Sequence, residues 1–173
     1  MSLPNPILVA NFEGFTWIRC EGKGSFVNSP QMKQWAEQSI NNGISTIVVD
    51  LETCTGMDST FMGTMAGIAM KLAKLNDASL QVTSASDKTR RSLEDLGLSM
   101  LIDIDPEEPI WKAQEESIRS SLKPCQTSSS IDKTQHVLDA HKQLCEADDS
   151  NDEKFSTVLD VLEAELANRQ LKR

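Results

Sequence analysis

"VVDLETCTGMDSTFMGTMAG", Val48 to Gly67, passes from an apolar β-branched run through a short polar loop into small and methionine-rich residues. The run begins at Ser45, and "STIVVDL" shows no polar alternation, which is the pattern of a central strand buried on both faces. Past the loop, Met62, Met65, Ala69 and Leu72 recur at helical spacing with Ile68 and Leu75 beside them. Gly63, Ala66 and Gly67 leave room for that helix to pack closely. A buried strand feeding a helix through a tight loop is one half of a βαβ unit.

The same grammar extends in both directions. Ile7 to Gly22 reads as two strands broken at Gly14, and Asn28-Ser29-Pro30 is a cap followed by proline in a first helical turn. Met32, Trp35, Ala36 and Ile40 give that helix its apolar face, and Asn41-Asn42-Gly43 ends it. Downstream come a strand over Ser79–Ser86, a helix starting at Asp87 and ending near Gly97, and a last strand in "MLIDID". The order ββαβαβαβ predicts an α/β fold, a mixed and largely parallel sheet with helices packed on it, over residues 1–105.

Beyond Asp105 the pattern changes. Residues 106–122 predict one more helix, with Ile110, Trp111, Gln114 and Ile118 on one face. Lys123 to Ser130 has the Pro and Ser content of a linker. Residues 131–173 predict a C-terminal αα-hairpin. Its first helix carries Ile131, Leu138, His141 and Cys145 in a stripe flanked by Val137 and Leu144, and its second carries Phe155, Leu159, Leu162 and Leu166. Such a hairpin either packs on the sheet domain or offers a second docking or dimer surface.

Charge narrows the function classes. The net charge is −9, and it is uneven: residues 1–100 hold 8 Lys/Arg against 10 Asp/Glu, residues 101–173 hold 9 against 16. An acidic chain without a basic, aromatic-interleaved patch is poorly suited to phosphate backbones, so nucleic-acid binding is not expected. No uncharged apolar run approaches the roughly 18 residues of a membrane helix, and the N-terminus lacks a signal-peptide pattern, so a cytoplasmic protein is expected. Cys20, Cys54, Cys125 and Cys145 are widely spaced and read as reduced thiols, without a zinc pattern. No Gly-rich phosphate cradle is present, and no cofactor is expected.

The loop itself bears two readings. Asp58, Ser59 and Thr60 are residue types that cap a helix by accepting its free amides. The same place, at the positive end of a helix dipole, also suits a hydroxyl that receives a phosphate, which adds about −1.5 to −2 charge. Here the residues resemble a known family. The element order, "DLETCTGMDSTFMG" and "SLQVTSASDKTRRSLEDLGLSMLIDID" together resemble the STAS domain of bacterial anti-sigma factor antagonists, over about Ile7 to Asp105. In that family the loop after the third strand carries a D-S-[ST]-x-[LVM]-G motif, matched by Asp58, Ser59, Thr60, Met62 and Gly63; Phe61 stands where many members have Gly.

The resemblance implies a phosphorylation-switched binding protein. Unphosphorylated at Ser59 (alternatively Thr60), it binds an anti-sigma factor serine kinase through Asp58, Ser59, Thr60, Phe61, Met62 and Gly63, and so frees a sigma factor. A PPM-type serine phosphatase then reverses the modification. A homodimer is compatible with this reading. The alternative within the superfamily is a STAS adapter subunit of a signalling or transport complex that is never phosphorylated.

An enzyme is not expected, because His136 and His141 lie far along the chain from any candidate nucleophile. His141 and Cys145 share a helical face, but no further ligand has metal spacing, and a half-exposed structural histidine is the expectation. Asp50 and Glu52 are expected to be solvated or paired with Lys and to hold no metal. Arg90 and Arg91 form the local basic pair, an exposed helix turn or a contact for an acidic partner.

Overall fold

The computed structural model describes residues 5–126 and 132–171. A six-stranded sheet forms its centre, in the order β7 (Asp103–Ile104), β6 (Ser79–Thr83), β4 (Thr46–Asp50), β2 (Phe15–Cys20), β1 (Ile7–Asn11) and β8 (Lys123–Pro124). Strands β2, β4, β6 and β7 run parallel to one another, and β1 is antiparallel to β2. The mixed, mostly parallel α/β sheet expected from the element order is therefore present.

The lack of alternation in β4 has a direct cause. Ile47 and Val49 point to one core, formed with Ile18, Leu80 and Val82 under α1 (Ser29–Asn41), α2 (Ser59–Ala73) and α3 (Asp87–Asp95). Val48 points to the opposite face, where Phe15, Trp17, Trp111 and Ile118 form a second core. Trp17 and Trp111 meet edge to face there, with ring centroids 5.2 Å apart. Helices on both faces leave a central strand no polar side to show.

Three elements differ from the sequence reading. The polar loop after β4 contains a short strand, β5 (Cys54–Met57), which pairs in parallel with β3 (Gly22–Gly24) as a separate two-stranded sheet. The helix expected over 106–122 is a 3-10 turn at Lys112–Gln114 followed by α4 (Glu115–Ser120). Pro106 and Pro109 withhold amides from a longer helix. Trp111 and Ile118 are buried as expected, whereas Ile110 is exposed. At the start of the expected linker, Lys123–Pro124 forms β8, paired with β1 opposite Leu8 and Val9. An edge position tolerates proline because one side of the strand needs no donor. Residues 127–130 of the linker and Ile131 lie outside the described residues.

The C-terminal pair is α5 (Lys133–Ala147) and α6 (Ser150–Leu171). Helix α5 packs along α2 and α6 packs on α5. Leu144 enters the main core, and Ala147 and Phe155 pack against it. The turn between the helices is fastened to the end of α3: the buried Asn151 amide donates to Leu96 O at 2.9 Å and to Leu144 O at 2.8 Å. Gly97 ends α3 with φ of +73°, and a side chain there would strike Asp148 of this turn.

Candidate functional site

Asp58 organises the loop. It is the extended N-cap of α2, and its Oδ1 accepts the Phe61 N–H at 2.8 Å. Its Oδ2 accepts the Phe26 N–H at 2.9 Å, and its own N–H donates to Gly24 O at 2.9 Å. One carboxylate thus caps the helix and ties it to the segment between β3 and α1. The short β3–β5 pairing, missed from sequence, brings these two segments together.

Ser59 is the first residue of α2 and is half-buried. Its Oγ lies 2.8 Å from His141 Nε2. His141 Nδ1 lies 2.7 Å from Val137 O, an atom that only accepts, so Nδ1 carries the ring proton. With Nδ1 donating to Val137 O, the Ser59 hydroxyl donates to Nε2 whenever the ring carries only that one proton. The Phe155 ring sits edge-on to this imidazole at 5.1 Å.

A second pair repeats the arrangement. His136 Nε2 is 2.8 Å from Ser29 Oγ and 3.5 Å from Thr64 Oγ1, whose own proton is directed to Thr60 O at 2.8 Å. Burial, together with the Lys33 charge, lowers the His136 pKa to about 4 against the opposing pull of Asp139 and Asp58. This imidazole is neutral near pH 7. Both histidines are buried, which corrects the half-exposed reading, and each meets a serine of the sheet domain.

The remaining motif residues face inward. Thr60, Phe61, Met62 and Gly63 are all buried. The Phe61 ring lies against Gly24, where an added Cβ would come within 2.8 Å of it. The aromatic ring at this motif position therefore fills the core and adds nothing to an exposed contact surface. The accessible apolar groups beside Asp58 are Phe26 and Val27, at 46% and 63% exposure, which sequence reasoning did not single out. Their signal was present in "GKGSFVNSPQ", two apolar residues in a Gly-rich loop ahead of a helix cap.

Asp50 and Glu52 belong to a different assembly. Asp50 is fully buried at the end of β4 and receives Arg19 Nη1, Arg119 Nε and Trp17 Nε1 at 2.9 to 3.1 Å. Burial alone would raise its pKa; the bonds from Arg119, the Glu52 N–H and Arg19 outweigh it and hold the carboxyl below its ordinary range. Glu52 pairs with the same two arginines. The partners are Arg, not the expected Lys; Asp50 is shut off from solvent, whereas Glu52 is exposed. Among the described residues no group of three or more His, Cys, Asp or Glu is placed to hold a metal. Arg90 is engaged by Asp105 at 2.6 Å, and Arg91 is exposed. No described helix is long and apolar enough to cross a membrane.

Among solved structures, an anti-sigma factor antagonist from Mycobacterium paratuberculosis is 20% identical, with a TM-score of 0.54, over 69% of this chain and 99% of that one. A Thermotoga maritima protein assigned as an anti-sigma factor antagonist is also 20% identical, with a TM-score of 0.53, over 64% and 92%. At this identity the likeness is one of fold. No curated protein matches the sequence. The STAS domain model matches residues 7–117, from the first strand of the sheet into α4. The chain belongs to the STAS domain family.

Proposed function

We propose that this protein is a regulator that acts by reversible protein binding, switched by a phosphate on Ser59. Unphosphorylated, it captures an anti-sigma factor serine kinase and so frees a sigma factor. Phosphorylation ends the capture and a PPM-type serine phosphatase restores it. The observation that carries this reading is the placement of Ser59 at the first position of α2, with Asp58 capping the helix and Phe26 and Val27 exposed alongside. A phosphate here adds about −1.5 to −2 charge next to the Asp58 carboxylate and turns a docking surface repulsive. Thr60 is the lesser acceptor, because its side chain is buried and its carbonyl is engaged by Thr64. The chemistry belongs to the kinase and phosphatase, and the chain itself is a cytoplasmic binding module without catalysis.

Phosphopeptide mass spectrometry on protein from its native cells, in growth and under stress, tests the switch. Occupancy at Ser59 that changes with condition is the expected result. In capture experiments Ser59→Ala retains the partner and Ser59→Asp loses it, at least tenfold in affinity; equal capture by both removes the switch. A constitutive adapter role in a signalling or transport complex is favoured by one observation, the engagement of the Ser59 hydroxyl by His141. Absence of phosphate in every condition, with co-purification of transporter or sensory subunits, selects that role.

A further inference from the structure

We propose that the α5–α6 hairpin is a lid docked in cis on the Ser59 face, which closes that face to a partner until the hairpin lifts. This inference rests on the reading of Ser59 as the contact and modification site. Its basis is where α5 lies. Along the first turns of α2, His141 takes the Ser59 hydroxyl, the Ala140 backbone covers Gly63, and the Gln143 side chain covers Gly67. His136 fastens the same helix to Ser29 at the start of α1. Two of the residues that the motif would offer to a partner, Ser59 and Gly63, are thus occupied by the chain's own helix.

The Ser59–His141 bond and a phosphate on Oγ in this position exclude each other. Transfer to Ser59 forms a bond from Oγ to the γ-phosphorus of ATP, breaks the bond from that phosphorus to the bridging oxygen, and releases ADP and the hydroxyl proton. Oγ at 2.8 Å from an imidazole nitrogen leaves no space between them for phosphorus and its three oxygens. A partner that docks on Gly63 or beside Ser59 meets the same obstruction. By linkage, anything that binds the open face favours lifting, and anything that tightens the lid weakens that binding by the same factor. As part of the same chain, the lid competes at high effective concentration, so a partner needs affinity enough to displace it.

Gly63 supplies the test. A Cβ at this position would strike Ala140 O, a backbone atom that cannot yield without moving α5. Alanine meanwhile favours the α2 helix itself by its propensity. Gly63→Ala therefore lifts the lid while leaving its seat helical. The readout is the rate at which iodoacetamide labels Ser59→Cys in the full chain carrying Cys145→Ser, corrected by the same chain with Ser59 intact. Hydrogen exchange of β2, β4 and β6 amides monitors the core.

Adding Gly63→Ala is expected to raise the labelling rate at least tenfold while the strand amides stay protected and those of α5 lose protection. Rates within twofold, with α5 still protected, overturn the lid. If Gly63→Ala also exposes the strands, Ala140→Asp, which places a charge on the buried α5 residue that lies against Gly63, is read by the same criteria. Neither kinase nor phosphatase is present in this assay. A labelling change with no phosphate ever found in cells leaves the lid and removes the switch, and the converse pair of results removes the lid and leaves the switch.

Discussion

Two histidines separate what is local at this site from what is not. Asp58 and Ser59 were legible in the sequence because a helix cap is decided by neighbours within three residues. The Ser59–His141 and Ser29–His136 pairs join positions 82 and 107 residues apart, and no spacing rule connects them. Their consequence is a dependence on pH. His136 titrates at about 4 when folded, well below the ordinary value of 6.5 that the unfolded chain recovers. A depressed imidazole gives stability that is complete above pH 6.5 and declines as pH falls toward 4, since only the unfolded or undocked form takes up the proton. The groups around it are Lys33 from α1, Asp139 from α5 and Asp58 at the cap of α2, and Lys33 reinforces the shift while the carboxylates oppose it. Docking of α5 is expected to weaken by about 2 kcal/mol between pH 7 and pH 5. Hydrogen exchange of α5 amides, corrected for the intrinsic rate, checks this, and His136→Gln is expected to flatten the profile.

At the scale of elements, long periodic segments were readable and short ones were not. β4 and α2 declared themselves by β-branched content and helical spacing, and both stand where expected. β3 and β5 hold three and four residues, include Gly22, Gly24 and Gly56, and exist because they pair with each other. Such strands have no pattern of their own to read. Helix α4 is held by charge as much as by packing. Arg119 reaches from α4 to Asp50 at the end of β4 and to Glu52 just beyond, and Arg19 reaches the same two carboxylates from β2. Removing one member of a buried ionic set leaves charge uncompensated, which costs far more than the set contributes net. Asp50→Ala is therefore expected to destabilise the fold by about 3 kcal/mol, read as a lower urea midpoint. Exchange in α4 should rise more than in α1, since α4 loses its anchor. Equal loss of protection in both helices would mean that Asp50 supports the sheet as a whole and not this tether.

For the whole molecule, the hairpin decides between two descriptions of the same chain. If α5 and α6 serve the core, their removal should unfold the sheet; if they form a lid, the sheet should survive. The family domain runs over residues 7–117, and β8 at Lys123–Pro124 completes the edge beside β1, so a chain ending at residue 126 keeps every strand of the main sheet. What it loses is Leu144 in the core and the packing of Ala147 and Phe155 around it. Those contacts lie at the α2 side, away from the Trp17–Trp111 core on the opposite face. The truncated chain is therefore expected to unfold cooperatively at a lower urea midpoint, with a smaller m-value because less surface is exposed on unfolding. Carrying Ser59→Cys, it should label as fast as the full chain with Ser59→Cys, Cys145→Ser and Gly63→Ala. Loss of cooperative unfolding would instead make the hairpin part of the folding unit, with Ser59 a buried structural hydroxyl. The two outcomes differ because a lid adds stability at its own seat, whereas a core element adds it everywhere.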